Sequence, residues 1–196
     1  MELNRLDVLV LLKIQALEAR PWTQSTQADD SNRVNLMSPT PRTTRPWTQS
    51  SLADELCIAQ SQVHASLKRA QAARLFSSTS NRVSRQALAE FLIHGVKYAF
   101  PPIHGGLTRG METSYAAPPL RDLIVQPDTL PPVWPHPNGP VRGYEFGPLH
   151  KRAPNAALKD AELYELLVLV DAIRDGRPRE AILAVGILTE RMEQNP

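Results

Sequence analysis

The chain has 196 residues, enough for one well-packed core or for a small domain with an extension. Its 22 basic and 20 acidic side chains give a net charge of +2, so no global excess of positive charge indicates nucleic acid or a membrane surface. The single cysteine, Cys57, excludes an internal disulfide and fits a reducing compartment. Charged residues interrupt the first 20 positions, and the apolar run 8–12 is too short to span a bilayer. We therefore expect a soluble, cytoplasmic protein without a secretory signal.

Residues 3–18, LNRLDVLVLLKIQALE, are predicted to form a helix. Apolar side chains recur there at intervals of three and four, and they occupy more than one side of the helix. We expect one side to pack across the next pair of helices. The additional apolar side is a candidate contact with a second subunit.

The hexapeptide RPWTQS occurs twice, at residues 20–25 and 45–50. Such a repeat is too short to be a structural unit, and the residues between the copies have no hydrophobic period. We interpret residues 21–45 as a disordered insert produced by duplication of a loop. Trp47 is continuous with the next helix and is expected to pack, unlike Trp22.

Residues 47–76, WTQSSLADELCIAQSQVHASLKRAQAARLF, predict two short helices joined by a tight turn. Ser50 or Ser51 is a suitable N-cap for the first helix, and Ser61 for the second, which is expected to run to about Arg74. The first helix carries an apolar stripe at helical spacing: Leu52, Ala53 and Leu56.

The second helix has two chemically different faces. Val63, Leu67 and Ala70 are expected to point inward, with the aliphatic part of Arg74 along the edge of the core. Small side chains on the other face would let a helix approach base edges, while Gln and Ser bond to bases and cations neutralise phosphates. That face carries Ser61, Ala65, Lys68, Arg69 and Ala72, with Gln62 and His64 on its flanks. The alternative is the solvated face of an ordinary helical hairpin.

Residues 77–85, SSTSNRVSR, predict the tip of a β-hairpin whose short strands are 75–76 and 82–83. Arg82 and Arg85 are candidates for contact with phosphates or the minor groove; for Arg82 an incidental position on a polar loop is equally open. Residues 45–97 contain seven basic and three acidic side chains, so the positive charge is concentrated in this part of the chain.

The segment TQSSLADELCIAQSQVHASLKRAQAARLF resembles the helix-turn-helix of bacterial winged-helix transcription regulators of the MarR and ArsR types. A hydroxyl residue opens the first helix, L-A-x-x-L and a turn follow, and a short hairpin comes after the second helix. The resemblance covers about residues 1–97, roughly half of the chain. It implies a mainly α fold: a winged helix-turn-helix domain with a small β-wing. Cys57 stands at a turn position often held by glycine, where a Cβ must avoid or tolerate left-handed φ.

The function that this resemblance implies is sequence-specific binding of double-stranded DNA by a homodimer, as a repressor that reads a pseudo-palindrome. Gln62, Ser61, Ala65, Ser66 and Arg69 are expected to face bases, whereas Lys68, Arg82 and the first-turn hydroxyls hold phosphates. The complete set of expected DNA contacts is Ser51, Gln60, Ser61, Gln62, His64, Ala65, Ser66, Lys68, Arg69, Arg82 and Arg85.

A fourth helix is predicted to begin after Ser84, its N-cap, and to end at the Pro101-Pro102 pair. Residues 98–154 contain twelve of the eighteen prolines together with many apolar residues, and we interpret them as an extended, proline-stiffened strap packed on a helical surface. A short strand is expected near residues 141–146. HGGLTRG, residues 104–110, lacks both phosphate-loop patterns and is interpreted as a glycine turn, with Arg109 as a possible anion contact.

Residues 155–196 predict a helical hairpin broken at residues 175–178. The first helix has an apolar stripe from Leu163 to Ile173, and the second has one that includes Ile182. Two helices alone cannot bury both stripes. We expect the hairpin to dock on the first domain, residues 1–97, or to form a dimer contact.

No enzyme, cofactor or metal is predicted from this sequence. The five histidines have no paired metal spacing, and neither GxSxG nor HExxH occurs. Two alternatives to a regulator stay open. One is an antitoxin or adaptor that binds a protein partner through the strap and C-terminal helices. The other is a small-molecule sensor with a pocket around Trp134, Tyr144 and Phe146.

Overall fold

The computed structural model describes residues 2–19 and 47–193, so the proposed insert at 21–45 lies outside the described residues. The fold is mainly helical, with a small three-stranded sheet and a C-terminal helical hairpin. The helices are α1 (Arg5–Glu18), α2 (Gln49–Leu56), α3 (Gln60–Ala72), α4 (Arg85–Glu90), α5 (Val96–Ala99), α6 (Ala153–Ala157), α7 (Ala161–Asp175) and α8 (Pro178–Glu193). The strands are β1 (Phe76–Ser77), β2 (Arg82–Val83), β3 (His104–Glu112), β4 (Pro132–Pro135) and β5 (Val141–Phe146). Within the described ranges, no helix is both long and apolar enough to cross a membrane.

Helix α1 lies at the centre of the core. Asn4 begins it with a capping box, in which the Asn4 side chain accepts from the Asp7 N–H and the Asp7 carboxylate accepts from the Asn4 N–H. Every side chain from Leu6 to Leu17 is buried. Helices α2 and α3 contact α1, and α7 of the same chain contacts it as well. The additional apolar side of α1 is therefore covered within the chain, which corrects the expectation that it meets a second subunit.

Helix α2 begins two to three residues earlier than the predicted caps. Thr48 is the N-cap: its hydroxyl accepts from the Ser51 N–H at 3.0 Å, and the Ser51 hydroxyl accepts from the Thr48 N–H at 2.8 Å. Ser51 is thus the reciprocal partner of the cap rather than the cap itself. The predicted apolar stripe is confirmed, because Leu52, Ala53 and Leu56 are buried.

Helix α3 also begins before its predicted cap. Ala59 is the extended N-cap residue, and its N–H donates to the Gln62 side-chain oxygen at 3.1 Å. The helix ends at Ala72, and Arg74 follows with φ 60°, exposed. The expectation that Arg74 lies along the core edge is wrong, because the left-handed residue turns the chain away before its side chain can follow the apolar face.

The predicted β-hairpin is present. Strands β1 and β2 pair antiparallel, with Phe76 opposite Val83. Trp47 is buried and its ring lies 6.2 Å from that of Phe76, which confirms that this tryptophan packs. The helix after β2 runs from Arg85 to Ala99 and contains one π-helical turn, Phe91–Gly95, before the prolines end it.

The strap contains more regular structure than the sequence indicated. β3 pairs antiparallel with β4 and β5, and β4 pairs parallel with β5, so the small sheet closes on itself. The predicted strand at 141–146 is confirmed as β5. Residues 104–110 form part of β3, so their interpretation as a glycine turn is wrong. Gly110 lets the strands approach closely, because a Cβ there would lie 2.0 Å from the Trp134 carbonyl oxygen.

Helices α7 and α8 form the predicted hairpin, and it docks within the chain. α7 contacts α1 and α5, and α8 contacts α4. Ile182 was expected in the buried stripe of α8 but is 72% exposed; Ala184, Leu188 and Met192 are the buried residues. A single hydrophobic core contains residues from all three predicted regions, 1–97, 98–154 and 155–196.

A buried polar network joins the sheet to this hairpin. The Asp171 carboxylate accepts from Trp134 Nε1 at 2.6 Å, from Thr113 Oγ1 at 2.9 Å and from Arg174 Nη1 at 2.5 Å. Burial raises the pKa of Asp171, while Arg174 and the hydrogen bonds act in the opposite direction. Trp134 and Phe146 belong to the core, whereas Tyr144 is exposed. Of the three aromatic residues proposed for a small-molecule pocket, two are therefore core residues and one lies at the surface.

A second buried charge joins the two ends of the chain. Lys13 on α1 is 2% exposed, and its ammonium binds the Asp160 carboxylate at 2.6 Å and the Glu55 carboxylate on α2. Asp160 in turn is the N-cap of α7, where its other oxygen accepts from the Glu162 and Leu163 N–H groups. One ammonium thus fixes α1, α2 and α7 together.

We expect Lys13→Met to lower the free energy of unfolding by about 3–5 kcal/mol, because it removes a charged partner from a buried carboxylate. Urea denaturation measures this as a lower midpoint at an unchanged slope. Arg121→Met is the matched control: its ion pair with Glu112 is exposed and should contribute less than about 1 kcal/mol. Equal losses in the two variants would show that the buried position of Lys13 has no special energetic weight.

Candidate nucleic-acid interface

The outward face of α3 is polar and cationic. With about 100° of rotation per residue, His64, Lys68 and Ser61 lie close together at the centre of this face. All three are exposed, while Val63, Leu67 and Ala70 are buried, as predicted. The exposed residues of α3 are Gln60, Ser61, Gln62, His64, Lys68, Gln71 and Ala72.

Two residues expected on this face lie elsewhere. Ser66 is fully buried, so the expectation that it faces bases is wrong. Arg69 is bound by Asp7 of α1: its Nε and Nη2 atoms donate to the two carboxylate oxygens at 2.8 and 2.7 Å. Its Nη2 also lies 3.3 Å from the Ser66 hydroxyl. The buried face of α3 is therefore wider than its apolar residues alone indicate, and it includes Ser66 and most of Arg69 on the side toward α1.

The Asp7–Arg69 pair makes Arg69 a structural residue. The Arg69 side chain is only 19% exposed, and the hydrogen bonds that it donates to Asp7 raise the pKa of its guanidinium. Such a bidentate pair is geometrically specific and strong. Because Asp7 is fully buried and also closes the α1 capping box, releasing Arg69 to a phosphate would leave a buried carboxylate without its cation.

The remaining expected contacts on α2 and α3 differ in their availability. Gln60 and Ser61 are exposed at the start of α3, and Ala65 is half-buried at the edge of the face. The Gln62 oxygen is used by the Ala59 N–H, so its amide NH₂ is the part left for a ligand. Ser51 has its hydroxyl engaged in the α2 capping box.

The hairpin contributes one available cation. Arg82 is exposed on β2, with the polar turn of residues 78–81 beside it. Arg85 is less available, because its Nη2 atom lies 3.7 Å from a carboxylate oxygen of Glu18 and its side chain is 19% exposed. Burial raises the pKa of Glu18, and the nearby Arg85 and Arg82 charges lower it. Of the two arginines, Arg82 is therefore the better candidate for an external anion.

Two residues of this surface were not singled out as contacts from the sequence. Gln71 is exposed one helical turn beyond Lys68, and Arg74 is exposed just after α3. Within the described part of the chain, neither Lys68 nor Arg74 forms an ion pair with a carboxylate. The period of α3 could have indicated Gln71, which is close to His64 in angle. The outward position of Arg74 depends on its left-handed backbone, which the sequence does not show.

A cluster of metal ligands is not evident among the residues that the structure describes. In residues 2–19 and 47–193, no three His, Cys, Asp or Glu side chains come close enough to hold a metal ion.

No protein-family model matches the chain, and no match was found among curated proteins or solved structures.

The turn that aims α3 depends on Cys57 in a left-handed conformation. Its φ and ψ are 53° and 47°, and its N–H bonds back to the Ala53 and Asp54 carbonyls. The left-handed region is costly for a residue with a Cβ and is the usual conformation of glycine at the end of a helix. Cys57 therefore adopts the left-handed conformation in spite of the energetic cost of its Cβ, and the turn keeps the geometry that glycine usually provides.

We expect Cys57→Gly to raise the free energy of unfolding by about 0.5–1 kcal/mol, after allowing for the greater chain entropy of glycine. Chemical denaturation measures the change. Cys57→Ala is the control, since it removes the sulfur but keeps the Cβ and should give no such gain. A glycine variant no more stable than the alanine variant would contradict strain at this position.

Proposed function

We propose that this protein is a sequence-specific regulator of transcription that binds double-stranded DNA in the winged-helix manner. Helix α3 would enter the major groove, and the β1–β2 hairpin would act as the wing over the neighbouring backbone. The repressor role, the homodimer and the cytoplasmic location belong to this proposal.

The observation that carries the proposal is the exposed face of α3. Its polar groups, Ser61, His64 and Gln71, have the donors and acceptors that base edges require. Lys68 lies among them and can neutralise a phosphate. A helix face that is only solvated does not need hydrogen-bonding side chains and a cation gathered in one place. Acidic residues are absent from α3.

Arg82 supports the same assignment from the hairpin. Strands β1 and β2 follow α3 directly, and α3 contacts β1, so the hairpin adjoins the proposed recognition helix. An exposed arginine at such a tip can reach a phosphate or a narrow minor groove. Gln60 and Gln62 would flank the base contacts, and Ala65 would permit close approach.

A homodimer follows from the size of this surface. A single 13-residue helix and a two-stranded hairpin cover few base pairs, and two-fold pairing on a pseudo-palindrome is the usual route to specificity.

Selection of bound duplexes from a random pool is the direct experiment. We expect an enriched motif with two related half-sites about one helical turn apart. Binding of the selected duplex should weaken steeply as salt rises, in proportion to the number of phosphates contacted. Failure to enrich any sequence, together with salt-insensitive or absent binding, would reject the proposal.

Substitutions on α3 separate base contacts from phosphate contacts. His64→Ala should relax the preference at one base position, with a loss of about 1–3 kcal/mol on the selected site. Lys68→Ala should weaken all duplexes alike and reduce the salt slope by about 1. Fluorescence anisotropy at several salt concentrations distinguishes the two effects.

The control variants remove an imidazole or a cation from other surfaces. His94→Ala, on the π-helical turn, removes an exposed imidazole, and Arg179→Ala, at the start of α8, removes an exposed cation, both from elements other than α3 and the β1–β2 hairpin. Both should bind the selected duplex as the unsubstituted protein does. A loss in these controls as large as that in the α3 variants would indicate a nonspecific charge effect.

A second candidate function is that of an adaptor or antitoxin that binds a protein partner through the strap. An exposed apolar segment of the strap supports it. Val125 is 96% exposed, and Leu123 and Leu130 on the same segment are also exposed. Neighbouring exposed apolar side chains are typical of protein contacts. Val125→Asp should abolish capture of a partner while leaving duplex binding intact; equal capture by both forms would exclude this segment as the contact.

A further inference from the structure

We propose that Lys159, from the segment between α6 and α7, supplies an additional phosphate contact beside the start of α3. This inference rests on the proposed function and extends the DNA surface beyond the residues that resemble winged-helix regulators.

The position of Lys159 is the first observation. Its ammonium lies 3.3 Å from Cys57 Sγ, at the turn between α2 and α3. Cys57 is exposed and precedes Gln60, the first residue of α3, by only three positions. The cation therefore stands at the end of the proposed recognition helix that would lie deepest against DNA.

The neighbouring backbone is held firmly in this place. Asp160 follows Lys159 in sequence, and it both caps α7 and binds the buried ammonium of Lys13. Lys13 also binds Glu55, two residues before Cys57. The same buried charge thus fixes the two chain segments that bring Lys159 to the turn, so a phosphate contact there would not require ordering of a loop.

The ammonium has binding capacity left. Lysine has three N–H donors, and a thiol sulfur is a weak acceptor. In the part of the chain that the structure describes, no carboxylate forms an ion pair with Lys159, although its side chain is exposed. An exposed cation without a carboxylate, next to a groove-binding helix, is suited to an oxygen anion such as a backbone phosphate.

The charge around Lys159 agrees with this partner. Lys151 and Arg152 are exposed just before α6. Burial lowers the pKa of the half-buried His150, and the charges of Lys151, Arg152 and Arg5 lower it further. Helix α6 packs against α2, so these cations belong to the side of the molecule that carries α2 and its turn. Lys151, Arg152 and Lys159, on either side of α6, thereby place three cations on the side of the molecule that carries α2.

The test measures duplex binding by Lys159→Ala and Lys159→Arg at several salt concentrations, with the full chain and the selected duplex. We expect the alanine variant to bind all duplexes more weakly, with a salt slope reduced by about 1 and an unchanged sequence preference. The arginine variant should restore the slope, because it keeps the cation. Arg179→Ala is the control for loss of one exposed charge.

The outcomes separate this inference from the proposed function. If the unsubstituted protein binds its selected duplex and Lys159→Ala keeps the full salt slope, the phosphate contact is overturned while the regulator assignment stands. If the unsubstituted protein binds no duplex, the proposed function fails and this contact fails with it. If alanine and arginine variants lose the same affinity, the side chain acts through packing on Cys57, and the phosphate contact is again overturned.

Discussion

The buried ammonium of Lys13 is the interaction on which the arrangement of the chain depends. A charge inside a leucine-rich helix is costly unless it is paired, and here both partners come from other elements: Glu55 from α2 and Asp160 from the start of α7. The N-terminal helices and the C-terminal hairpin cannot separate without exposing or orphaning this charge. The part of the chain that resembles a small DNA-binding domain is therefore built into a larger core, and its turn is positioned partly by residues more than a hundred positions away.

Local patterns in the sequence were sufficient for most of the helices and for the first hairpin. The period of the apolar residues placed α1, α3 and α7 within a few residues, and Trp47 and β5 were also predicted correctly. Helix starts were less accurate, because a hydroxyl residue can be the cap or the partner of the cap. Thr48 and Ser51 exchange hydrogen bonds, so either assignment satisfies the same sequence pattern.

Long-range contacts account for what the sequence did not reveal. Residues 104–110 look like a glycine turn, yet they form a strand because β4 and β5 offer paired backbone on either side. Arg69 looks like a DNA contact from its helical position, yet Asp7, 62 residues earlier, accepts hydrogen bonds from Nε and Nη2 of its guanidinium. In each case the deciding partner lies far along the chain, and no local period or turn preference encodes it. The candidate surface therefore shifts toward His64, Lys68 and Gln71.

The burial of α1 against α7 of the same chain restricts the surfaces through which two copies of this protein could pair. In a chain that ended after the hairpin and its following helix, the second apolar side of α1 would be exposed and available to another subunit. Here α7 packs on that side, and the α1 side chains from Leu6 to Leu17 are buried within one chain. A dimer of this protein must therefore use a different surface from the first helix. Large apolar side chains are exposed instead at Tyr98 on α5 and at Ile182 on α8. Because α5 and α8 are separate helices from α2 and α3, two subunits that paired through α5 and α8 would leave the polar face of α3 open to a ligand.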